Sequence, residues 1–177
     1  DERSGESETF EYEEGVVEFV RYLNRATDAV HPDVIYLLDE NSESAVQVEV
    51  AFQYSNEFTE NIHCYVNNIN TTDGGTHLTG FRSALTRSLN DYARSKGQLK
   101  DKDPNFSGED TRQGLTAVLS VKLTDPQFES QTKGKLGNAE LRGQVESVVS
   151  EALSAFLDKN TTQARKIVKK CITSSRA

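Results

Sequence analysis

Two stretches of the chain alternate apolar and polar side chains, and this period of two restricts the fold to one that contains a β-sheet. In SAVQVEVAFQYS, residues 44–55, the apolar set shares one face: Val46, Val48, Val50, Phe52 and Tyr54. The polar set on the other face is Gln47, Glu49 and Gln53. LTAVLSVKL, residues 115–123, repeats the alternation. Because successive side chains of a strand point to opposite faces, the first stretch predicts a half-buried antiparallel strand and the second predicts another strand.

Helical periodicity surrounds these strands. Residues 13–27, 76–96 and 138–159 each carry an apolar stripe at helical spacing, and a last, basic helix is predicted from Thr161 to the end. Gly97 is placed as the C-cap of the second helix and Asn138 as the N-cap of the third.

The remaining sequence completes the order of elements. VIYLLDE (34–40) and ENIHCYVNNIN (60–70) predict two more strands. SGEDTRQG (107–114) predicts a short helix, with Ser107 and Asp110 close to the spacing of a capping box. The order is helix, three strands, helix, short helix, strand, helix, helix. We therefore predict an α/β fold with a mixed four-stranded sheet and its helices on one face.

Length and charge narrow the function classes. The 177 residues suffice for one well-cored domain or two small ones, and no run of 18 apolar residues exists, so no membrane span is expected. The acidic start lacks an apolar core, which argues against a signal peptide, and we expect a cytoplasmic protein. The formal net charge is −8, with the acidic excess in the first 60 residues. Contact with nucleic acid is therefore expected to be local.

Most catalytic templates are absent from the sequence. It contains no G-x-x-x-x-G-K-[ST], no H-E-x-x-H and no G-x-S-x-G. The three histidines, His31, His63 and His77, are scattered over turns and a strand, so no metal site is predicted. The Gly74-Gly75 pair favours a tight turn over an anion cradle. Arg87 and Arg94 have helical spacing with Asp91, which alone indicates a surface salt-bridge ladder.

One polar loop stands apart from this background. In DPQFESQTKGKLGN, residues 125–138, Lys133 supplies a compact charge that can reach a phosphate, and Gln131 supplies an amide donor beside it. Two glycines, Gly134 and Gly137, punctuate the loop. These residues allow an anion contact, but taken alone they favour a solvated loop.

A resemblance to a known family favours the anion contact over a solvated loop. The segments GVVEFVRYLNR (15–25), DGGTHLTGFRSALTRSLNDYAR (73–94) and SGEDTRQGLTAVLSVKLTDPQFESQTKGKLGN (107–138) resemble the B subunits of DNA gyrase. The likeness runs through nearly the whole chain in the family's order. It implies the second, transducer domain of a type IIA topoisomerase, which contains a left-handed βαβ crossover. The implied boundaries are 1–14 for a linker remnant, 15–160 for the transducer domain and 161–177 for a basic helix that leads to the cleavage domain.

The resemblance also implies a site and its cofactors. In the family, the Q-x-K loop reaches into the ATP site of the neighbouring ATPase domain. Lys133 would contact the γ-phosphate as the catalytic lysine, with Gln131 assisting in ATP binding. Thr132 receives no role. ATP and Mg²⁺ belong to the full protein, with the Mg²⁺ ligands outside this chain, and the fragment alone is expected to be inactive.

Partners follow from the same resemblance. They are the upstream ATPase domain, the gyrase A protein, double-stranded DNA and a second gyrase B chain that pairs on ATP binding. Arg82 matches a position lining the cavity for transported DNA, with Arg87 and Arg94 as weaker candidates.

Two alternatives stay open. The equivalent domain of topoisomerase IV shares the mechanism. A stand-alone nucleic-acid-binding module would use the basic side chains of the last helix, which are Arg165, Lys166, Lys169 and Lys170.

Overall fold

The computed structural model describes residues 15–41, 46–72, 74–124, 126–128 and 137–176. The helices are α1 (Gly15–Leu23), α2 (Thr76–Ser95), α3 (Gly108–Arg112), α4 (Ala139–Lys159) and α5 (Thr161–Arg176). The strands are β1 (Ile35–Asn41), β2 (Val46–Tyr54), β3 (Asn61–Val66), β4 (Ile69–Asn70) and β5 (Leu115–Lys122). Across these ranges, no helix combines the length and the apolar character needed to cross a membrane.

The strands form one mixed sheet of five strands in the order β1-β2-β5-β3-β4. The β3–β5 pair is parallel, with Cys64 beside Leu119, and the other neighbours are antiparallel. The prediction of four strands is therefore wrong by one. The stretch 60–70 folds into a short hairpin because Asn67 and Asn68 adopt positive φ values of 50° and 68°, the geometry of a tight two-residue turn.

Helices cover both faces of the sheet, which corrects the prediction of helices on one face. The apolar face of β2, predicted from its alternation, packs with Phe81, Leu85 and Leu89 of α2 and with α4 in the main core. On the opposite face, Val16 and Val20 of α1 pack against Ala51 and Val118. The central strands β2 and β5 are consequently buried on both sides.

Two of the three polar residues of β2, Glu49 and Gln53, are buried on the face that α1 covers, rather than exposed as the alternation predicted. Gln53 is 6% exposed and accepts a hydrogen bond from Asn24 Nδ2 at 3.1 Å. Thr116 Oγ1 donates to Asn24 Oδ1 at 2.7 Å, and Tyr36 Oη donates to Glu49 Oε2 at 2.7 Å. The helix α1 can cover this face because the polar groups there form hydrogen bonds within the protein.

The predicted capping box of α3 is confirmed, whereas the C-cap of α2 lies one residue before the predicted Gly97. Ser107 accepts from the Asp110 amide, and the Asp110 carboxylate accepts from the Ser107 amide, so the capping box is complete. Gly97, with φ of 75°, follows the C-cap residue Lys96 of α2. Its amide donates to Arg94 O, and the Gln98 amide donates to Ala93 O, which together close the helix end.

The helices α2 and α4 approach each other at backbone distance. A Cβ added to Gly80 would lie 2.5 Å from Arg142 O and 3.2 Å from Val145 Cβ. Only glycine fits this crossing without moving one helix. The contact fixes α4 against α2 along the main core.

We expect Gly80→Ala to destabilise the chain by about 1–3 kcal/mol, because the added methyl overpacks the crossing and outweighs its gain in helix propensity. Gly143→Ala is the matched control in the same helix pair, since a Cβ there meets nothing within 4 Å. That variant is expected to gain up to about 1 kcal/mol. Urea unfolding followed by circular dichroism measures both, and equal effects of the two substitutions would contradict the close crossing.

Candidate functional site

The residues that flank the polar loop are held together by two hydrogen bonds. Gln131 and Lys133, the predicted ATP contacts, lie outside the described residues, as does Lys135. The Gly137 amide donates to Gln127 O at 2.5 Å, and the Gln127 amide donates to Asn138 Oδ1 at 2.5 Å. We call this set, Gln127, Gly137 and Asn138, the loop stem. It joins the two ends of the segment that carries the predicted contacts.

Asn138 connects the loop stem to α4. It occupies the predicted N-cap position, but its side chain makes no capping hydrogen bond. Its side-chain oxygen Oδ1 accepts from the Gln127 backbone amide instead. Its side-chain nitrogen Nδ2 donates to Glu140 Oε1 at 3.3 Å. Asn138 is 3% exposed. The loop stem therefore ends at the residue where α4 begins.

An open groove lined by arginines lies between α2, α3 and α4, with a volume of about 530 Å³. We call it the arginine groove. Four arginines from three helices line it: Arg82 and Arg87 from α2, Arg112 from α3 and Arg142 from α4. Its other lining side chains include Asn90, Asp91, Asn105 and Glu146. Such a concentration of guanidinium groups favours anions.

Two carboxylates engage three of these arginines. Glu60 Oε1 lies 3.2 Å from Arg82 Nη2, and Glu60 Oε2 lies 2.6 Å from Arg112 Nε. Glu146 Oε2 lies 3.3 Å from Arg87 Nη2, and the Arg87 side chain is 67% exposed. Arg82, the main candidate for DNA contact, and Arg87, one of the two weaker candidates, thus line one groove.

Arg94 serves a different purpose. Its guanidinium donates to Asn105 Oδ1 at 2.8 Å, to Lys100 O at 2.9 Å and to Asp103 O at 2.8 Å. These bonds organise the loop between α2 and α3. Within the described residues, neither Arg87 nor Arg94 pairs with Asp91, so the salt-bridge ladder suggested by their spacing does not form.

Sequence reasoning missed Arg112 and Arg142 as members of the groove, and Glu60 as the partner of Arg82 and Arg112. They lie on separate elements, and no local pattern connects them. The capping box that starts α3 places Arg112 in the last turn of that helix, but nothing in the sequence indicates that this turn faces Glu60.

His77 and His31 have structural roles. His77 is fully buried, and its Nε2 lies 3.1 Å from Thr71 Oγ1, which itself donates to Cys64 O. Nε2 is therefore the donor, and the turn before α2 is tied to β3. His31 Nε2 accepts from the Tyr54 amide at 3.1 Å. Among the residues that the structure describes, no group of three or more His, Cys, Asp or Glu is placed to hold a metal ion.

The last helix presents fewer free charges than its sequence suggests. Lys170 is 7% exposed, donates to Asn56 O at 3.3 Å and lies 3.8 Å from the ring centre of Phe58. Burial lowers the pKa of Lys170. The apolar side of α5 packs into the main core through Ala164, Ile167, Val168 and Cys171. Burial raises the pKa values of Cys64 and Cys171 to about 12, which favours the protonated thiol at both positions.

The fold and groove define an α/β domain built on a mixed five-stranded sheet, and comparisons with known proteins give its family. The family model described as "DNA gyrase B" matches residues 15–177 of this chain. The chain therefore belongs to the DNA gyrase B family. The gyrase B protein of Clostridium acetobutylicum is 51% identical over 177 residues. That match covers 100% of this chain and 28% of the relative, so the chain spans less than a third of its length.

Solved structures agree with this family. The 43K ATPase domain of Thermus thermophilus gyrase B, in complex with an aminocoumarin, is similar with a TM-score of 0.82 and 40% identity. That match covers 91% of this chain and 43% of that chain. The topoisomerase IV ATP-binding domain of Francisella tularensis, in complex with a small-molecule inhibitor, has a TM-score of 0.77 and 27% identity, with 93% and 43% covered.

Burial of His77 predicts a specific loss of stability in mild acid. Burial lowers its pKa to about 4, whereas an unfolded histidine titrates near 6.5. Between these two pKa values, the unfolded chain binds more protons than the folded chain. The free energy of unfolding therefore decreases as the pH falls from about 6.5 towards 4. Between pH 7 and pH 5, the wild type should lose about 2 kcal/mol more than His77→Gln in urea unfolding.

The other two histidines, whose pKa values burial also lowers, are present in both proteins and cancel in this difference. His63→Gln, at a half-buried position, is the control with a smaller expected change. Parallel pH profiles for the wild type and His77→Gln would contradict the account.

Proposed function

We propose that this chain is the transducer domain of a DNA gyrase B protein. In the full protein it would couple ATP binding and hydrolysis, in a preceding ATPase domain, to DNA strand passage and negative supercoiling. The family match over residues 15–177 supports this proposal, as does the chain's similarity to only part of the Thermus thermophilus 43K chain. The proposed boundaries are 1–14, 15–160 and 161–177.

The observation that carries the proposal is the continuity between the loop stem and α4. Gly137 and Asn138 hold Gln127 at the base of the loop, and α4 begins at the next residue, Ala139. Any displacement of the loop therefore acts on the end of a 21-residue helix. A helix of this length, packed along the main core, transmits such a displacement as a rigid rod.

Lys133 would act as the sensor of the γ-phosphate. Its ammonium group would donate to a γ-phosphate oxygen in the adjacent ATPase domain, and the Gln131 amide would assist. Such a contact stabilises the docked arrangement by about 2–3 kcal/mol, which shifts a two-state population by roughly 30- to 150-fold. When the phosphate leaves, Lys133 loses its partner and the transducer is free to rotate.

We assign the Mg²⁺ ligands to the preceding ATPase domain, where bound ATP and Mg²⁺ supply the hydrolysis chemistry. The contribution of this chain to the ATP site is limited to Gln131 and Lys133. The connection from β3 through α2 and α3 to the parallel strand β5 is the proposed left-handed crossover.

We also propose that Arg82 lines a cavity for the transported duplex, with Arg87 beside it in the arginine groove. Arg94 is a weaker candidate, because its guanidinium already holds the α2–α3 loop. The proposed partners are the gyrase A protein, double-stranded DNA and a second gyrase B chain, in the cytoplasm.

Two other functions remain less well supported. The equivalent domain of topoisomerase IV is favoured by the similarity to the Francisella tularensis structure, but the identity is lower there. A stand-alone nucleic-acid module is weakened because Lys170 is buried against Asn56 and Phe58.

In the full-length protein, Lys133→Ala should lower the rate of ATP hydrolysis about tenfold or more, since a charge-assisted contact is lost. Lys135→Ala is the matched control, a lysine two residues away in the same loop, and should change the rate less than twofold. Steady-state ATPase and supercoiling assays measure both. Equal rates of ATP hydrolysis and supercoiling for the wild type and Lys133→Ala would contradict the proposal that Lys133 senses the γ-phosphate.

A further inference from the structure

A single carboxylate joins two of the arginines that line the arginine groove. Glu60 places one oxygen 3.2 Å from Arg82 Nη2 and the other 2.6 Å from Arg112 Nε. The two arginines belong to different helices, α2 and α3. All three side chains keep contact with solvent, with exposed fractions of 39% for Arg82, 23% for Arg112 and 31% for Glu60. A ligand can therefore reach this pair from the groove.

The arrangement places two guanidinium groups beside one oxyanion. A guanidinium group binds the oxygens of carboxylate and phosphate with the same geometry, and two arginines on one anion are typical of phosphate recognition. We propose that Arg82 and Arg112 form a phosphate-binding pair and that Glu60 is its intramolecular occupant, which a phosphate group displaces. This inference rests on the proposed DNA contact of Arg82 and adds Arg112 and Glu60 to it.

The rest of the groove explains why a duplex would displace Glu60. Arg142 makes no ion pair within the described residues, and Arg87 is largely exposed beside Glu146. Successive phosphates of a duplex can therefore engage Arg87 and Arg142 while another phosphate competes for the pair. Glu60 precedes β3 and is partly exposed, so its carboxylate can turn into water. Glu60 thereby weakens binding of the groove to anions and favours ligands with several phosphates.

The test is duplex binding by the whole chain, measured by fluorescence anisotropy with a duplex of about 20 base pairs over a range of salt concentrations. Glu60→Gln keeps the shape and a hydrogen-bond acceptor but removes the charge. It should bind about three- to tenfold more tightly at low salt, with a log–log salt slope steeper by about one. Titration with inorganic tripolyphosphate is the second arm and separates a general phosphate site from a duplex site.

Glu18→Gln is the matched control. It removes the same charge and breaks an ion pair of 3.5 Å with Arg21, but on α1, across the sheet from the groove. Its binding should change less than twofold. The double variant Glu60→Gln, Arg82→Gln should lose the gain. Glu60→Asp keeps the charge on a side chain too short to bridge both arginines, so it should show a smaller gain and decides the question if Glu60→Gln does not fold.

Unchanged or weaker binding by Glu60→Gln would overturn the inference, as would a gain that survives in the double variant. Arg82→Gln alone separates this inference from the proposed DNA contact. If Arg82→Gln binds duplex more weakly and Glu60→Gln does not bind it more tightly, the proposed role of Glu60 is wrong. The proposed DNA contact of Arg82 is then still supported. Unchanged duplex binding by Arg82→Gln removes the DNA contact, whereas a gain in tripolyphosphate binding by Glu60→Gln still supports the phosphate pair.

Discussion

The contact between α2 and α4 at Gly80 determines the position of both candidate sites. Because Gly80 has no side chain, the backbone of α4 at Arg142 lies directly against α2. This approach sets Arg142 and Glu146 beside Arg82 and Arg87, so the two helices become walls of one groove. A larger residue at position 80 would separate the walls and shift the start of α4. The groove and the loop stem therefore depend on one steric constraint.

The helix α4 connects the loop stem to the arginine groove. It begins directly after Asn138, and Arg142 follows about 6 Å along the helix axis, at 1.5 Å per residue. Asn138 is buried, and its side chain holds the other end of the loop. A change in the loop stem therefore reaches the groove within the first two turns of the helix. In the proposed transducer, Lys133 would sense the nucleotide and α4 would carry the change towards DNA.

Local features of the sequence predicted much of the fold. Contacts between residues far apart in the chain could not be predicted in this way. The alternation around Val48 and the capping box at Ser107 were sufficient to place β2 and α3, because both signals are local. The polar face of β2 suggested solvent, but Asn24 of the α1 end satisfies Gln53, and α1 covers that face. Glu60 and Arg112 meet only in the tertiary structure, so no spacing in the chain could have paired them.

The central claim is that α4 transmits the state of the loop to the groove. Hydrogen exchange of the full-length protein, with and without a non-hydrolysable ATP analogue, tests it most directly at the amides of residues 137–146. We expect the analogue to slow exchange across the loop stem and the first two turns of α4, and Lys133→Ala to abolish this protection. Protection confined to the ATPase domain, with α4 unchanged, would contradict the account.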